Sequence, residues 1–284
     1  MCISSGYYAT HTAECDEMIH GIMHGINIGF EGERNIIRTC SNLPSATDTE
    51  NARQRVTQGI ISDVENGKKA GPYDQPPFKF YSLSPIGAVP KRGSDKLRII
   101  NHLSYPFKGD SINASTMRLD VHLGSFTQAC NAVRRLGRGC QLIKLDVEAA
   151  YKQVPVRSAD WPLLCFKWEG KYYHEVCLPF GLSSSCAKWE LYASAMHHFF
   201  CTLIGIGEVV HYIDDFLFVI ASKVVAHSQL AAALKLCVDL GVPMSPSKTE
   251  GPTTLLTFLG IEIDTLLMIA RLSPAKLSEF QSTQ

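Results

Sequence analysis

Charge is scarce in this chain. Only 19% of its 284 residues are charged, and 27 basic side chains balance 27 acidic ones. With 45% hydrophobic residues, this composition excludes a wholly disordered chain, a collagen and a coiled coil. No apolar run approaches the roughly 18 residues that mark a membrane-spanning helix, so no membrane partner is expected. The opening residues, MCISSGYYATHTAEC, lack a basic stretch followed by an apolar one, and a secretory signal is not expected. There is no CxxC pair among the ten cysteines, and several lie inside apolar runs where a free thiol behaves as a small hydrophobe. An intracellular setting, cytoplasm or nucleus, is the expectation. Internal repeats and low-complexity tracts are absent. The length suits one large domain or two small ones.

What is present is unevenly placed. Residues 71–140 carry ten Lys/Arg against four Asp/Glu, whereas the segments on either side are each net acidic. That is either an electrostatic footprint for phosphates or ordinary surface variation. Residues 1–46 are weakly periodic and read as a linker or docking segment. Ala52, Val56, Ile60 and Val64 recur every four residues and predict a helix over 48–66, stopped by Gly67. The prolines of GPYDQPPFKF predict an extended, turn-rich path. PIGAVPK and KLRIINHL, joined by RGSD, predict a hairpin with a basic tip. Helices are expected over 125–136, after the serines 183–185, and over 226–240. Strands are expected at QLIKLDV (141–147), in a hairpin over 163–178 turning at Glu169-Gly170, as a pair across 211–220, and at TFLGIEID (257–264). RLSPAKLSEF predicts a helix start with Ser273 as cap. This mixture gives an α+β class.

The carboxylates carry the chemistry. Asp214 and Asp215 interrupt an apolar run, and Asp146 ends another. Each alone fits a solvated turn. Two such strands side by side would bring Asp146 and Asp214 together, and crowded carboxylates raise each other's pKa unless a cation neutralises them. Magnesium suits that donor type. Neighbouring strand residues face opposite ways, so one aspartate of the pair would be the principal ligand.

LDVEAAYKQVPV, LPFGLSSS, YIDD, PSKTEGP and FLGIEID, in this order, resemble the successive palm motifs of retroelement reverse transcriptases. VPKRGSDKLRIINHLSYP resembles their fingers hairpin. HLSYP, WEGKYY and YIDDFLFV are most similar to DIRS-type, tyrosine-recombinase retrotransposons, with gypsy-like elements next. The resemblance implies a right-hand polymerase, with an antiparallel palm sheet backed by helices and the thumb largely absent. It divides the chain into a linker or polyprotein segment (1–42), a fingers-like region (43–140), a palm (141–270) and the start of a truncated thumb (271–284). It implies RNA-directed DNA synthesis with two magnesium ions, or manganese in their place. Asp146, Asp214 and Asp215 would be catalytic and, with the Val147 carbonyl, metal-binding. Lys248 would protonate the pyrophosphate. Arg98 and Lys91 would hold the triphosphate, Tyr151 would exclude a ribose 2′-hydroxyl, and Phe180 and Gly181 would pack on template base and nucleotide. Phe258, Leu259 and Gly260 would grip the primer. The implied partners are an RNA or DNA template with primer, deoxynucleoside triphosphates, and a ribonuclease H and recombinase from the same element. The alternative is a truncated, silent remnant that folds and binds nucleic acid. An RNA-making polymerase is disfavoured by Tyr151.

Other signals have plainer readings. His11, Cys15, His20 and His24 are close in sequence, yet match no common zinc spacing. His197 and His198 mark the boundary between core and solvent on a helix, the tryptophans 161, 168 and 189 read as core or hairpin aromatics, and Ser183–Ser185 as a helix cap.

Overall fold

The computed structural model describes residues 1–90, 97–273 and 276–277. The chain forms two compact units, Met1–Thr12 with His122–Ala150 and Glu190–Gln284, and Ala13–Val121 with Tyr151–Trp189.

In the first unit, a four-stranded antiparallel sheet runs in the order Glu250–Thr253, Gln141–Asp146, Asp215–Ile220, Glu208–Tyr212. The two middle strands are apolar on both faces because both faces are covered. One face, with Leu142, Leu217 and Val219, packs on Ala129, Ala132 and Val133 of the helix Phe126–Leu136. That helix starts in a capping box formed by Ser125 and Gln128. From the other face, Phe216 and Phe218 meet Phe200 edge-on at centroid distances of 5.4 and 5.0 Å. Each strand therefore reads as a largely hydrophobic run; the one charge inside, Lys144, is only partly buried and pairs with Glu250.

A second antiparallel sheet joins Leu255–Phe258, Ile261–Asp264 and Ile269–Leu272. TFLGIEID is thus a hairpin rather than one strand, turning at Leu259 and Gly260, which have φ of 50° and 76°. Arg271 and Leu272 close a strand instead of opening a helix, because they pair with Glu262 and Ile261. Helical residues occur at Lys276–Leu277, and most of the segment 271–284 lies outside the described residues.

In the second unit, the helix Glu50–Glu65 is capped by Thr49, whose side chain accepts from the Ala52 N–H. Its Val56 and Ile60 pack with Ile86, Ala88, Phe166 and Trp168. The hairpin strands Ile86–Pro90 and Leu97–Asn101 pair as expected. Their tip, which includes Lys91, lies outside the described residues. Lys69–Tyr73, Lys171–Glu175 and Cys165–Trp168 form a three-stranded sheet. The strand at Lys69 is held by a buried ion pair with Glu175, beside Asp63.

Residues 1–42, expected as a linker, docking or polyprotein segment, carry defined elements. Helices run over Tyr7–Thr10 and Thr12–His24. Ile26, Ile28 and Phe30 are buried, and single bridges tie Ile26 to Val156 and Phe30 to Thr116. The alternation of these three residues is short and set among glycines, so it carries little signal even though the side chains are core.

Candidate active site

Asp146 and Asp215 sit directly opposite each other in the antiparallel ladder. Side chains so paired stand about 5 Å apart at Cβ, close enough for like charges to repel. Asp214, expected beside Asp146, is not the ladder partner but lies in the adjoining turn, where its charge still reaches Asp215 and Lys248. Tyr212 pairs with Asp215, so Ile213 and Asp214 make a two-residue turn. Ile213 has φ of 56°, a conformation unfavourable for a β-branched residue. The turn carbonyl of Asp214 accepts from the Val147 N–H at 2.9 Å, which ties Val147 to the aspartate pair.

Lys248 completes the cluster. It lies on the short 3₁₀ turn Pro246–Lys248. The Ser245 N–H just before that turn donates to the Asp146 carbonyl at 2.8 Å. The Lys248 ammonium donates to both oxygens of Asp146, at 2.9 and 2.7 Å. Burial alone would lower its pKa. The hydrogen bond to Asp146 and the charges of the three aspartates outweigh that and raise it. Asp215 is pushed up to about 6, first by burial, then by the charges of Asp214 and Asp146. Lys144 offsets part of this but is itself paired with Glu250.

This donor set fits a divalent cation. Three carboxylates face one ammonium, and carboxylate oxygens are the ligands that magnesium and manganese take. Asp146, Asp214 and Asp215, with the Val147 carbonyl, are the groups that would hold it. As the side chains stand, no group of three His, Cys, Asp or Glu among the described residues is placed to hold a metal ion, and Lys248 bonds both oxygens of Asp146. The sequence cluster of His11, Cys15, His20 and His24 forms no such group either: Cys15 is buried, while His20 and His24 are exposed and pack on each other.

The primer-grip candidates Phe258, Leu259 and Gly260 belong to the same unit as the aspartates. Phe258 is fully buried in the core below the sheet, and Lys144 donates to the Thr257 carbonyl at 3.4 Å.

In the other unit, Arg98, Tyr151, Phe180 and Gly181 come together. The Arg98 guanidinium lies 4.8 Å from the centroid of the Phe180 ring. The Tyr151 ring lies 5.3 Å from Phe180. The Phe180 carbonyl accepts from the Asn101 N–H at 3.0 Å. Gly181 has φ of 104°, and a Cβ there would come within 2.0 Å of the Asn101 carbonyl oxygen. Only glycine fits that approach.

Two groups of residues escaped the sequence reading. Asn113 clamps the Phe180-Gly181 loop. Its amide donates to the Gly181 carbonyl at 2.8 Å, and its oxygen accepts from Ser183 N–H at 2.9 Å. Behind the aspartate turn, His211 bonds Glu190 at 2.6 Å and His197 at 2.8 Å. Burial and the neighbouring His211 push His197 down to about 4. The serine cap is also different: Ser184 and Ser185 donate their hydroxyls to the carbonyls of Ile28 and Pro179. Trp168 and Trp189 are core residues, and Trp161 stacks on His174.

Residues 89–263, more than half of the chain, match the family of reverse transcriptases (RNA-dependent DNA polymerases). The chain belongs to the reverse transcriptase family. It is 30% identical over 132 residues to polyprotein P3 of Commelina yellow mottle virus, a match covering 46% of this chain and 7% of the polyprotein. Its fold is similar to that of part of the foamy viral protease–reverse transcriptase. The structure of that protein with double-stranded DNA gives a TM-score of 0.68 at 19% identity, covering 91% of this chain and 40% of the other. The structure with an RNA/DNA hybrid gives 0.70 at 17% identity, covering 91% and 31%. This reverse transcriptase chain thus spans less than half of the solved proteins it matches. Mixed helices and antiparallel sheets, expected from sequence, are the architecture of the reverse transcriptase polymerase region.

Proposed function

We propose that the chain carries the polymerase centre of a retroelement reverse transcriptase and copies RNA into DNA. The observation that carries this reading is the ladder pairing of Asp146 with Asp215 beside Asp214 and Lys248. Family membership and the nucleic-acid complexes of the foamy viral proteins support it. DIRS-type origin rests on HLSYP, WEGKYY and YIDDFLFV, with a gypsy-like element as the next choice. The domain limits proposed are those implied by the motifs: fingers-like 43–140 and palm 141–270. A ribonuclease H and a recombinase would come from elsewhere in the element. Action inside the cell, in cytoplasm or nucleus, accords with ten free cysteines. No helix among the described residues is long and apolar enough to cross a membrane.

The chemistry proposed is attack of a primer 3′-hydroxyl on the α-phosphate of a deoxynucleoside triphosphate. Two divalent ions, when bound, would lower the pKa of that hydroxyl and offset charge on the leaving pyrophosphate. The aspartates hold the oxygens that position such ions, and the fixed strand ends keep those oxygens in place. Arg98, with Lys91, supplies donors for triphosphate oxygens. Tyr151 blocks the sugar 2′ position, while Phe180 and Gly181 seat the base pair. Lys248 donates a proton to the pyrophosphate. The hairpin at Phe258, Leu259 and Gly260 holds the primer end.

Primer extension with magnesium on RNA and DNA templates, supplied with deoxy- or ribonucleotides, tests this reading. DNA synthesis on the RNA template is expected. A folded chain that extends no primer on either template would favour the silent remnant.

A further inference from the structure

In this structure the Lys248 ammonium directs its hydrogen bonds at Asp146 rather than toward a leaving group. In the structure both Asp146 oxygens, the atoms a cation would use, accept from Lys248. The two partners are unequal. The Asp146 side chain is 5% exposed and that of Lys248 is 45% exposed. The carboxylate is fixed at a buried strand end, whereas the lysine rides on a short turn open to solvent. The lysine is therefore the partner that can leave. Charge balance points the same way. Three carboxylates meet one ammonium, and Lys144, the other nearby cation, is committed to Glu250. The remaining deficit is two positive charges, which is the charge of one divalent cation.

We infer that Lys248 is a place-holder for the divalent cation: it neutralises Asp146 in the metal-free chain, competes with the cation for that carboxylate, and is freed as a proton donor only when the cation binds. This rests on the polymerase reading above. Its consequence is coupling. Whatever the cation does to Lys248, Lys248 must do to cation affinity, because linkage is reciprocal. The order of events follows: the acid is withheld until the ions that activate the primer are seated, so an empty site is not armed. A lysine that only braced its turn would instead contribute stability without opposing the cation.

The test is manganese binding to the full chain without nucleic acid, read from the electron paramagnetic resonance of free Mn²⁺ at low ionic strength. Lys248→Met should bind about tenfold tighter than wild type, within the usual range of coupling between sites. Lys248→Arg, which keeps a cation, should stay near wild type. In EDTA, Lys248→Met should melt below wild type, and manganese should restore it. Equal or weaker binding by Lys248→Met overturns the place-holder. Asp146→Asn separates the two levels. If manganese binds wild type and Asp146→Asn abolishes it, the metal-site reading stands whatever Lys248→Met does. If no variant or wild type binds manganese, the metal-site reading itself fails. Should Lys248→Met not fold, the lysine ¹³Cε resonance of the wild-type chain serves, assigned by its loss in Lys248→Arg. It should shift on magnesium titration, and an unmoved resonance overturns the place-holder.

Discussion

Replacing Gly181 with alanine tests whether the Phe180-Gly181 loop is held by a backbone approach that only glycine permits. At φ of 104° an alanine is strained by roughly 1–3 kcal/mol wherever it sits. Its Cβ would also lie 2.0 Å from the Asn101 carbonyl oxygen and 3.0 Å from the carbonyl carbon. Those are backbone atoms of a paired strand, so no flexible side chain can swing aside. Relieving such an overlap costs roughly another 1–3 kcal/mol. Gly170 is the internal control: its φ is 79°, and a Cβ there would meet nothing within 4 Å. Gly170→Ala should therefore cost only about 1–2 kcal/mol, against roughly 2–6 kcal/mol for Gly181→Ala. At about 2–4 °C per kcal/mol for a chain of this order of size, thermal unfolding resolves the difference. Because the same loop carries Phe180 against Arg98 and Tyr151, Gly181→Ala should also raise the KM for nucleotide, and Gly170→Ala should not. Equal melting temperatures for the two variants would refute the reasoning.

Four further outcomes follow from the site. Tyr151→Ala should admit ribonucleotides in primer extension; unchanged sugar selectivity would remove Tyr151 from its role. Ile213→Asn should raise the melting temperature by a few degrees, since asparagine tolerates positive φ where isoleucine is strained by about 1 kcal/mol or more. Asp215→Asn should raise stability in EDTA at pH 7–8, by up to about 3 kcal/mol, while abolishing activity, because the folded state must hold a carboxylate whose pKa is pushed up to about 6. His197 acts in the opposite sense. Its folded pKa of about 4 lies below the ordinary 6.5, so the unfolded chain takes up the proton first. Stability is then full above about pH 6.5 and falls as pH drops toward 4. His197→Gln should lessen that fall in a pH series of melts, and an unaltered slope would count against the burial of a neutral His197.

The sheet strands were legible because both faces are largely buried: LIKLD is apolar but for Lys144 and ends in acid, and FLFVI is an apolar run that follows the acid pair. Their register was not. Which aspartate meets Asp146 depends on a two-residue turn with Ile213 at positive φ, and an isoleucine gives no warning of that conformation. The helix Glu50–Glu65 was readable from its period and cap, since one face alone meets the core. Ile26, Ile28 and Phe30 did alternate with a strand's period, but they dock through single bridges, and their signal was lost among glycines. The Asn113 clamp joins residues 68 apart in sequence, and a polar loop residue carries no pattern that announces its partner. The Glu190–His211–His197 chain is likewise a product of packing between a helix and a strand.

The most direct measurement is single-turnover primer extension on poly(rA)/oligo(dT) with dTTP and magnesium, comparing wild type with Asp146→Asn, Asp214→Asn and Asp215→Asn. The predicted result is DNA synthesis by wild type and a loss of about a thousandfold or more when Asp146 is changed, in keeping with the loss of a preorganised charge at a reacting centre. Wild-type synthesis that survives Asp146→Asn undiminished would contradict the assignment of these carboxylates as the polymerase centre.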